Sequence, residues 1–331
     1  MTQHPFTISN AAGIARTLED VKRLARSASS EIRIGSYTPQ RRTGNIGETY
    51  YMLTADTIIN GVIIPAGTSW NAIGLTNCGI EALADDLHLM AQVAKDVHKP
   101  LVVSIAGFSP EDYAEMTRIL YLEEEHFLHE QLPMPTLELN LGCPNARHKD
   151  GTRHKIISYY PDDTRAVLDA VAIELPPGVT VQVKISPVPD ETIPCLAEII
   201  AQSGIVDTVI GVNTIPDQEG LREDGITPAL AYRATEDGPL LHKGGMAGTI
   251  LKQESLRVVR LLGRHLPMDI RTIGCGGIFK PDDVFDQILA GASGVQIGTN
   301  DYHHGRKVIG DLMVSMSRTP KGMALLEKMA A

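Results

Sequence analysis

The chain has 331 residues, 43% hydrophobic and 21% charged, with a formal net charge of -10 at pH 7. That is enough apolar material for a sizeable core, and acidic and basic residues interspersed under a negative balance argue against a general nucleic-acid or anionic-membrane binder. No apolar run reaches the ~18 residues of a membrane span, and the opening MTQHPFTISNAAG lacks the basic and apolar regions of a signal peptide.

TISNAA (7–12) reads as a first strand, and TLEDVKRLARSAS after it as a helix. Thr17 and Asp20 stand near capping-box spacing, with Leu18, Val21, Leu24 and Ala25 on one face. EIRIGS (31–36) is a second strand, separated by a long insertion, 37–79, from helical IEALADDLHLMAQVAKDV. Within that insertion, TIINGVIIP sets Asn-Gly between apolar runs, a tight-hairpin signal. LVVSIAG (101–107) precedes SPEDYAEMTRILYLEEEHFL, and TLELNLG (136–142) precedes DDTRAVLDAVAIEL. VTVQVKIS (179–186) and DTVIGVNT (207–214) follow, then a second insertion, 214–250, rich in Gly, Pro, Asp and Glu. SLRVVRLLGRHL, IRTIGCGG (270–277), PDDVFDQILAGA and GVQIGTN (294–300) complete the series.

Eight strands alternating with helices predict a parallel α/β fold, a single (β/α)8 barrel over 1–331, with a doubly wound sheet as the alternative. Both insertions leave strand C-terminal ends. In a barrel that is the catalytic face, so they are expected to build walls or a lid over the site.

Cys78, Cys143, Cys195 and Cys275 are far apart, with no CxxC pair and no spacing suited to zinc, which predicts a reduced, cytoplasmic protein without a metal. His303 and His304 in DYHHGRK lack further local ligands. Cys195 is expected to be a buried structural cysteine. Cys143 differs: it follows a strand end, flanked by glycine and proline, where a thiol can act as nucleophile or general base. His148 and His154 in the same loop keep a histidine-assisted nucleophile open.

The glycines of IGCGGI and GVQIGTN end the seventh and eighth strands, where barrels of this class hold phosphate. Gly276, Gly277, Gly298 and Thr299 are candidates for that role, and GGMAG (244–248), with Gly245, is a third glycine-rich element. Asn71, Asn140, Asn145 and Asn213 fall at or near strand ends; carboxamides can read a ring edge that offers C=O and N–H together. Lys184, at the end of VTVQVKI, would aim a cation into the mouth and stabilise negative charge on a cofactor ring.

NLGCPN closely resembles the NLSCPN motif of class 1 dihydroorotate dehydrogenases. The similarity extends through SNAAG (9–13), WNAIGLTN (70–77), SIAG (104–107), VKISP (183–187), GVNT (211–214), GGMAGTILK (244–252), IGCGGI (273–278) and GVQIGT (294–299). The resemblance implies an FMN-binding barrel that oxidises dihydroorotate to orotate in pyrimidine biosynthesis. Ala11, Ala12, Gly13 and Ser36 would touch the flavin, with Asn140, Lys184 and Gly245, and the four phosphate candidates would hold its phosphate. Asn71, Asn140, Asn145, Asn213 and Thr214 would bind the substrate. Cys143 would take the C5 proton while hydride leaves C6 for flavin N5. The resemblance also implies a soluble homodimer, with fumarate as one acceptor. The chain departs from the family at Gly35, where the family's second strand carries a lysine before the serine, and at Ala12 and Gly142, which replace serines. Gly35 keeps open a relative acting on another dihydropyrimidine or on a cyclic enone or amide, with Arg41, Arg42, Arg147 or Lys149 as candidate compensating cations.

Overall fold

The eight apolar runs become eight parallel strands: β1 Thr7–Asn10, β2 Ile32–Tyr37, β3 Leu101–Ile105, β4 Thr136–Asn140, β5 Val181–Ile185, β6 Val206–Gly211, β7 Arg271–Cys275 and β8 Gly294–Ile297. The computed structural model describes residues 5–59, 61–122, 124–148, 150–305 and 307–330. Hydrogen bonding runs without interruption from β2 through β3 to β8 and on to β1. The seam between β1 and β2 is bridged by side chains, among them the carboxamide of Asn10. Asn10 Nδ2 donates to Arg33 O at 2.7 Å, and Arg33 N donates to Asn10 Oδ1 at 3.2 Å. This closes a (β/α)8 barrel.

Helices follow each strand: α1 Leu18–Ala25, α2 Ile80–Asp96, α3 Pro110–Leu120, α4 Pro161–Glu174, α5 Ile193–Gln202, α6 Lys252–His265, α7 Pro281–Ala290 and α8 Lys307–Ser317. α1 begins at the expected capping box, with Asp20 N donating to Thr17 Oγ1 and Thr17 N to Asp20 Oδ2. Its Val21 and Leu24 are fully buried against Ile32, Ile34 and Leu83; each such burial contributes about 1.5–3 kcal/mol. The run SPEDYAEMTRILYLEEEHFL is two helices, α3 and a short one at Glu124–His129, not one. α5 and α8 have no counterpart among the helices read from sequence, and Cys195 on α5 is exposed, correcting the expectation of a buried thiol. The buried cysteine is Cys275, at the end of β7.

Successive side chains of β2 alternate between two faces. Ile32 and Ile34 join the layer under the helices. Arg33 turns inward, where Ser9, Glu138 and Gln182 meet it. The interior of such a barrel is usually filled by branched aliphatic residues; here much of one layer is polar and charged.

The insertions are one structure. Strands Ile215–Glu219, Lys243–Gly248, Thr68–Asn71 and Tyr50–Met52 form a four-stranded sheet in that order, and Ala231–Arg233 pairs with Ile46–Glu48. The predicted hairpin is present, with Thr57–Ile59 antiparallel to Val62–Ile64; Asn60 itself lies outside the described residues. Together these segments roof part of the barrel mouth.

Candidate active site at the barrel mouth

A cavity of about 1140 Å³, counting its open mouth, lies at the C-terminal ends of the strands. It is lined by Ala11, Ala12, Gly13, Ser36, Asn71, Asn140, Cys143, Asn145, Lys184, Asn213, Thr214, Gly276, Gly277, Gly298 and Thr299. Of the residues expected from sequence to bind substrate or cofactor, Gly245 is not on the wall. It supports the wall instead, its N–H donating to Asn145 Oδ1 at 3.1 Å.

One end of the cavity is built from backbone. Gly276 and Gly277 have φ of +133° and +71°, and a Cβ at Gly277 would lie 2.4 Å from the Lys252 Cβ. Only glycine fits this turn, and a glycine turn lets the backbone come close to an anion. The amides of Phe279 and Lys280 already donate to Asp283 Oδ2 at 2.8 and 2.9 Å. The candidate anion cradle is therefore confined to Gly276, Gly277, Gly298 and Thr299, without the start of α7. Thr299 Oγ1 lies 3.2 Å from Ser69 Oγ, which ties this end to the roof.

The other end is built from side chains. Asn140 and Lys184 are register partners on β4 and β5. Asn213 Nδ2 donates to Asn140 Oδ1 at 3.0 Å, Asn140 Nδ2 donates to Ser36 Oγ at 2.8 Å, and Asn145 Nδ2 donates to Asn71 Oδ1. All four asparagines thus converge in hydrogen-bonded pairs. The Thr214 hydroxyl is buried at the cavity with no protein partner among the described residues, as expected of a group that serves a ligand. Lys184 Nζ donates to Gln296 Oε1 at 3.1 Å.

Cys143 follows β4 in a loop on the cavity wall. Burial pushes its thiol up; the amides of Asn145 and Ala146 and the charges of Arg42 and Lys184 act in the opposite direction. The two loop histidines are engaged elsewhere. His154 stacks on Phe108 at 4.1 Å and meets His148 at 3.7 Å between ring centroids. Burial, then the neighbouring His148 and Arg42, pull His154 down to about 4.

Gly35 has φ +102°, and a Cβ there would sit 2.3 Å from Ser104 O. The strand has no room for a lysine at this position. Among the candidate compensating cations, Arg42 is the one whose charge reaches Cys143; it donates to Gly74 O at 3.1 Å and lies 5.5 Å from the Phe108 ring centre. Arg147 is held by Asp217 at 2.9 Å, and Lys149 lies outside the described residues. Sequence reading missed Arg16, Tyr50, Tyr302 and Gln296 on the cavity wall. Arg16 donates to Gly13 O at 2.7 Å, and Tyr50 packs on Tyr302 at 4.6 Å. Arg16 and Tyr50 stand in none of the quoted motifs; Tyr302 lies in DYHHGRK, and Gln296 lies in GVQIGTN as a polar residue amid the apolar run of β8.

A (β/α)8 barrel whose mouth gathers glycine loops after β7 and β8, a buried lysine and converging carboxamides has the form of a barrel enzyme with its site at the C-terminal face. The chain belongs to the dihydroorotate dehydrogenase family: the profile described as Dihydroorotate dehydrogenase matches residues 2–318. It is 31% identical over 333 residues to Dihydroorotate dehydrogenase (fumarate) of Trypanosoma brucei brucei, covering 98% of this chain and 93% of that protein. It is 27% identical to the catalytic subunit of Dihydroorotate dehydrogenase B (NAD(+)) of Exiguobacterium sibiricum, over 77% of this chain and 79% of that one. A crystal structure of the enzyme from Eimeria tenella, in complex with ferulenol, shares the fold with a TM-score of 0.70 at 20% identity, covering 96% of this chain and 84% of that one.

Proposed function

We propose that the chain is an FMN-dependent oxidoreductase that converts dihydroorotate to orotate, with Cys143 as the base. The observation that carries this reading is the placement of Cys143, Lys184 and the four asparagines on one cavity whose far end is the candidate glycine cradle. FMN fits that cavity. Its phosphate would be held by the amides of Gly276, Gly277, Gly298 and Thr299, and its ring would meet Ala11, Ala12, Gly13, Ser36 and Lys184. When bound, it supplies the acceptor for the hydride that leaves C6 of the substrate.

The chain's own residues do the rest. Asn71, Asn140, Asn145, Asn213 and Thr214 bind the ring edge of the substrate, each amide offering one donor group and one acceptor. Cys143, as thiolate, takes the proton from C5; the amides of Asn145 and Ala146 face that sulfur and favour its charged form. Lys184 places positive charge where the cofactor gains electrons. A dihydropyrimidine lacking the carboxylate is not favoured as substrate, because the trypanosomal relative matches almost the whole chain and is named for dihydroorotate. We infer fumarate as the acceptor from that same name. A homodimer is inferred by analogy with the family, and a cytoplasmic location from four scattered cysteines with no disulfide framework.

The test is the absorbance spectrum of the purified protein followed by anaerobic titration with dihydroorotate. Flavin absorbance that bleaches on titration is expected. A colourless protein that takes up no FMN, or a flavoprotein that dihydroorotate never bleaches, overturns the reading.

A further inference from the structure

Beneath the cavity floor lies a buried charged layer that the proposed chemistry does not use directly. Glu138, on β4, is fully buried. Arg33 Nε lies 2.7 Å from Glu138 Oε2, an ion-pair contact rather than an aligned hydrogen bond. The Arg33 Nη atoms are fully engaged: Nη1 donates to Ser9 Oγ and Asn10 O, and Nη2 to Glu31 Oε2 and Gln182 Oε1. A buried ion pair is weak evidence for stability, since apolar residues of similar volume often serve as well. The question is what else this one does.

Two chains of hydrogen bonds leave Glu138, and both end on the cavity. A carboxylate only accepts, so every partner must donate to it. On one side, Gln296 Nε2 faces Glu138 Oε2 at 3.4 Å, which turns Gln296 Oε1 toward Lys184 Nζ. The flipped amide would set its NH₂ against the ammonium and its carbonyl against the carboxylate, both repulsive. On the other side, Ser104 Oγ donates to Glu138 Oε1 at 2.8 Å. Its proton is thereby committed, so Ser36 must donate to Ser104, across 2.8 Å. Ser36 then accepts from Asn140 Nδ2, which leaves Asn140 Oδ1 to accept from Asn213 Nδ2. The carboxylate fixes the direction of the bonds to Gln296, Ser104 and Ser36, whereas Asn140 Oδ1 and Asn213 Oδ1 also accept from backbone donors, Gly142 N at 3.3 Å and Thr214 N at 2.8 Å.

We infer that Glu138, partnered by Arg33, is a positioning residue that sets the orientation of Lys184 at the cavity. It acts through Gln296 and touches neither substrate nor cofactor. Without the carboxylate, the Gln296 amide can turn either way, and the ammonium of Lys184 loses a partner held in one orientation. Networks of this kind couple their members beyond single pairs.

This inference rests on the FMN reading, and its test separates the two. The midpoint potential of the bound flavin is measured in the Arg33→Met, Glu138→Gln pair, which removes one positive and one negative charge and so leaves the net local charge unchanged. The expected result is a loss of about tenfold in the preference of the site for reduced over oxidised flavin, equivalent to a potential about 30 mV lower. The same pair made in a Lys184→Met background is expected to shift the potential little, because the lysine it positions is gone. An unchanged potential, or an equal fall with and without Lys184, overturns the inference while leaving the FMN reading intact. A protein that holds no flavin overturns the reading itself. Should the pair not fold, Glu138→Gln alone decides by sign. Loss of a nearby negative charge acting only through space raises the potential, whereas loss of positioning lowers it.

Discussion

The two ends of the cavity are made of different material. The cradle end is backbone: its shape comes from the positive φ of Gly276 and Gly277, and almost any polar side chain nearby is incidental. The opposite end is side chain: Asn140, Asn213, Asn145, Asn71 and Lys184 hold one another in place through hydrogen bonds. A backbone site is fixed once the turn folds. A side-chain site is fixed only when its neighbours agree, so it can be tuned, and damaged, from a distance.

That contrast can be broken most sharply at Cys143. Cys143→Ala is expected to slow flavin bleaching by dihydroorotate by ~10² or more, the loss typical of a general base, while flavin content stays at wild-type level. Stopped-flow absorbance and the visible spectrum measure the two separately; a variant that lost flavin would mean the two ends are not independent. At the cradle end, Gly277→Val forces a branched side chain into the left-handed region and against Lys252. Strain of roughly 1–3 kcal/mol predicts FMN binding about ten- to hundredfold weaker, read by fluorescence titration, with the Cys143 chemistry preserved at saturating FMN.

The pH profile sharpens the comparison further. Burial raises the Cys143 thiol, so the protonated form dominates at neutral pH and the thiolate grows as pH rises. Bleaching is expected to accelerate about tenfold per pH unit below the thiol's raised value, and Cys143→Ala to abolish that slope. FMN affinity should follow no such curve. The smallest effect belongs to a site remote from both ends. Thr17→Ala removes the cap of α1 and should cost about 1 kcal/mol in urea unfolding, with turnover unchanged.

Legibility followed the same division. All eight barrel strands could be read from short apolar runs, because each carries its own local pattern. The cradle glycines and Cys143 were legible for the same reason. α5 was not: Pro187, Pro189 and Pro194 made its start look like loop, yet Pro194 sits in the first turn of the helix, where no amide is needed. The roof was legible only as two separate insertions, since the pairing of Asn71 with Gly245 joins residues with no local relation. Gly35 was legible as a missing lysine, but the reason was not: the obstacle is the carbonyl of Ser104 on the neighbouring strand. The Glu138 network joins five strands, so no single stretch of sequence reveals it.

The β1–β2 seam has a chemical consequence of its own. Asn10 helps to close it by giving a proton to Arg33 O and receiving one from Arg33 N. Deamidation to aspartate would replace the giving atom with a second receiving one, setting a carboxylate oxygen against a peptide carbonyl. The ring of strands is thus latched in part by a side chain whose slow hydrolysis would reverse one of its two bonds from attraction to repulsion, giving the molecule a covalent route to ageing that leaves its other inter-strand ladders untouched.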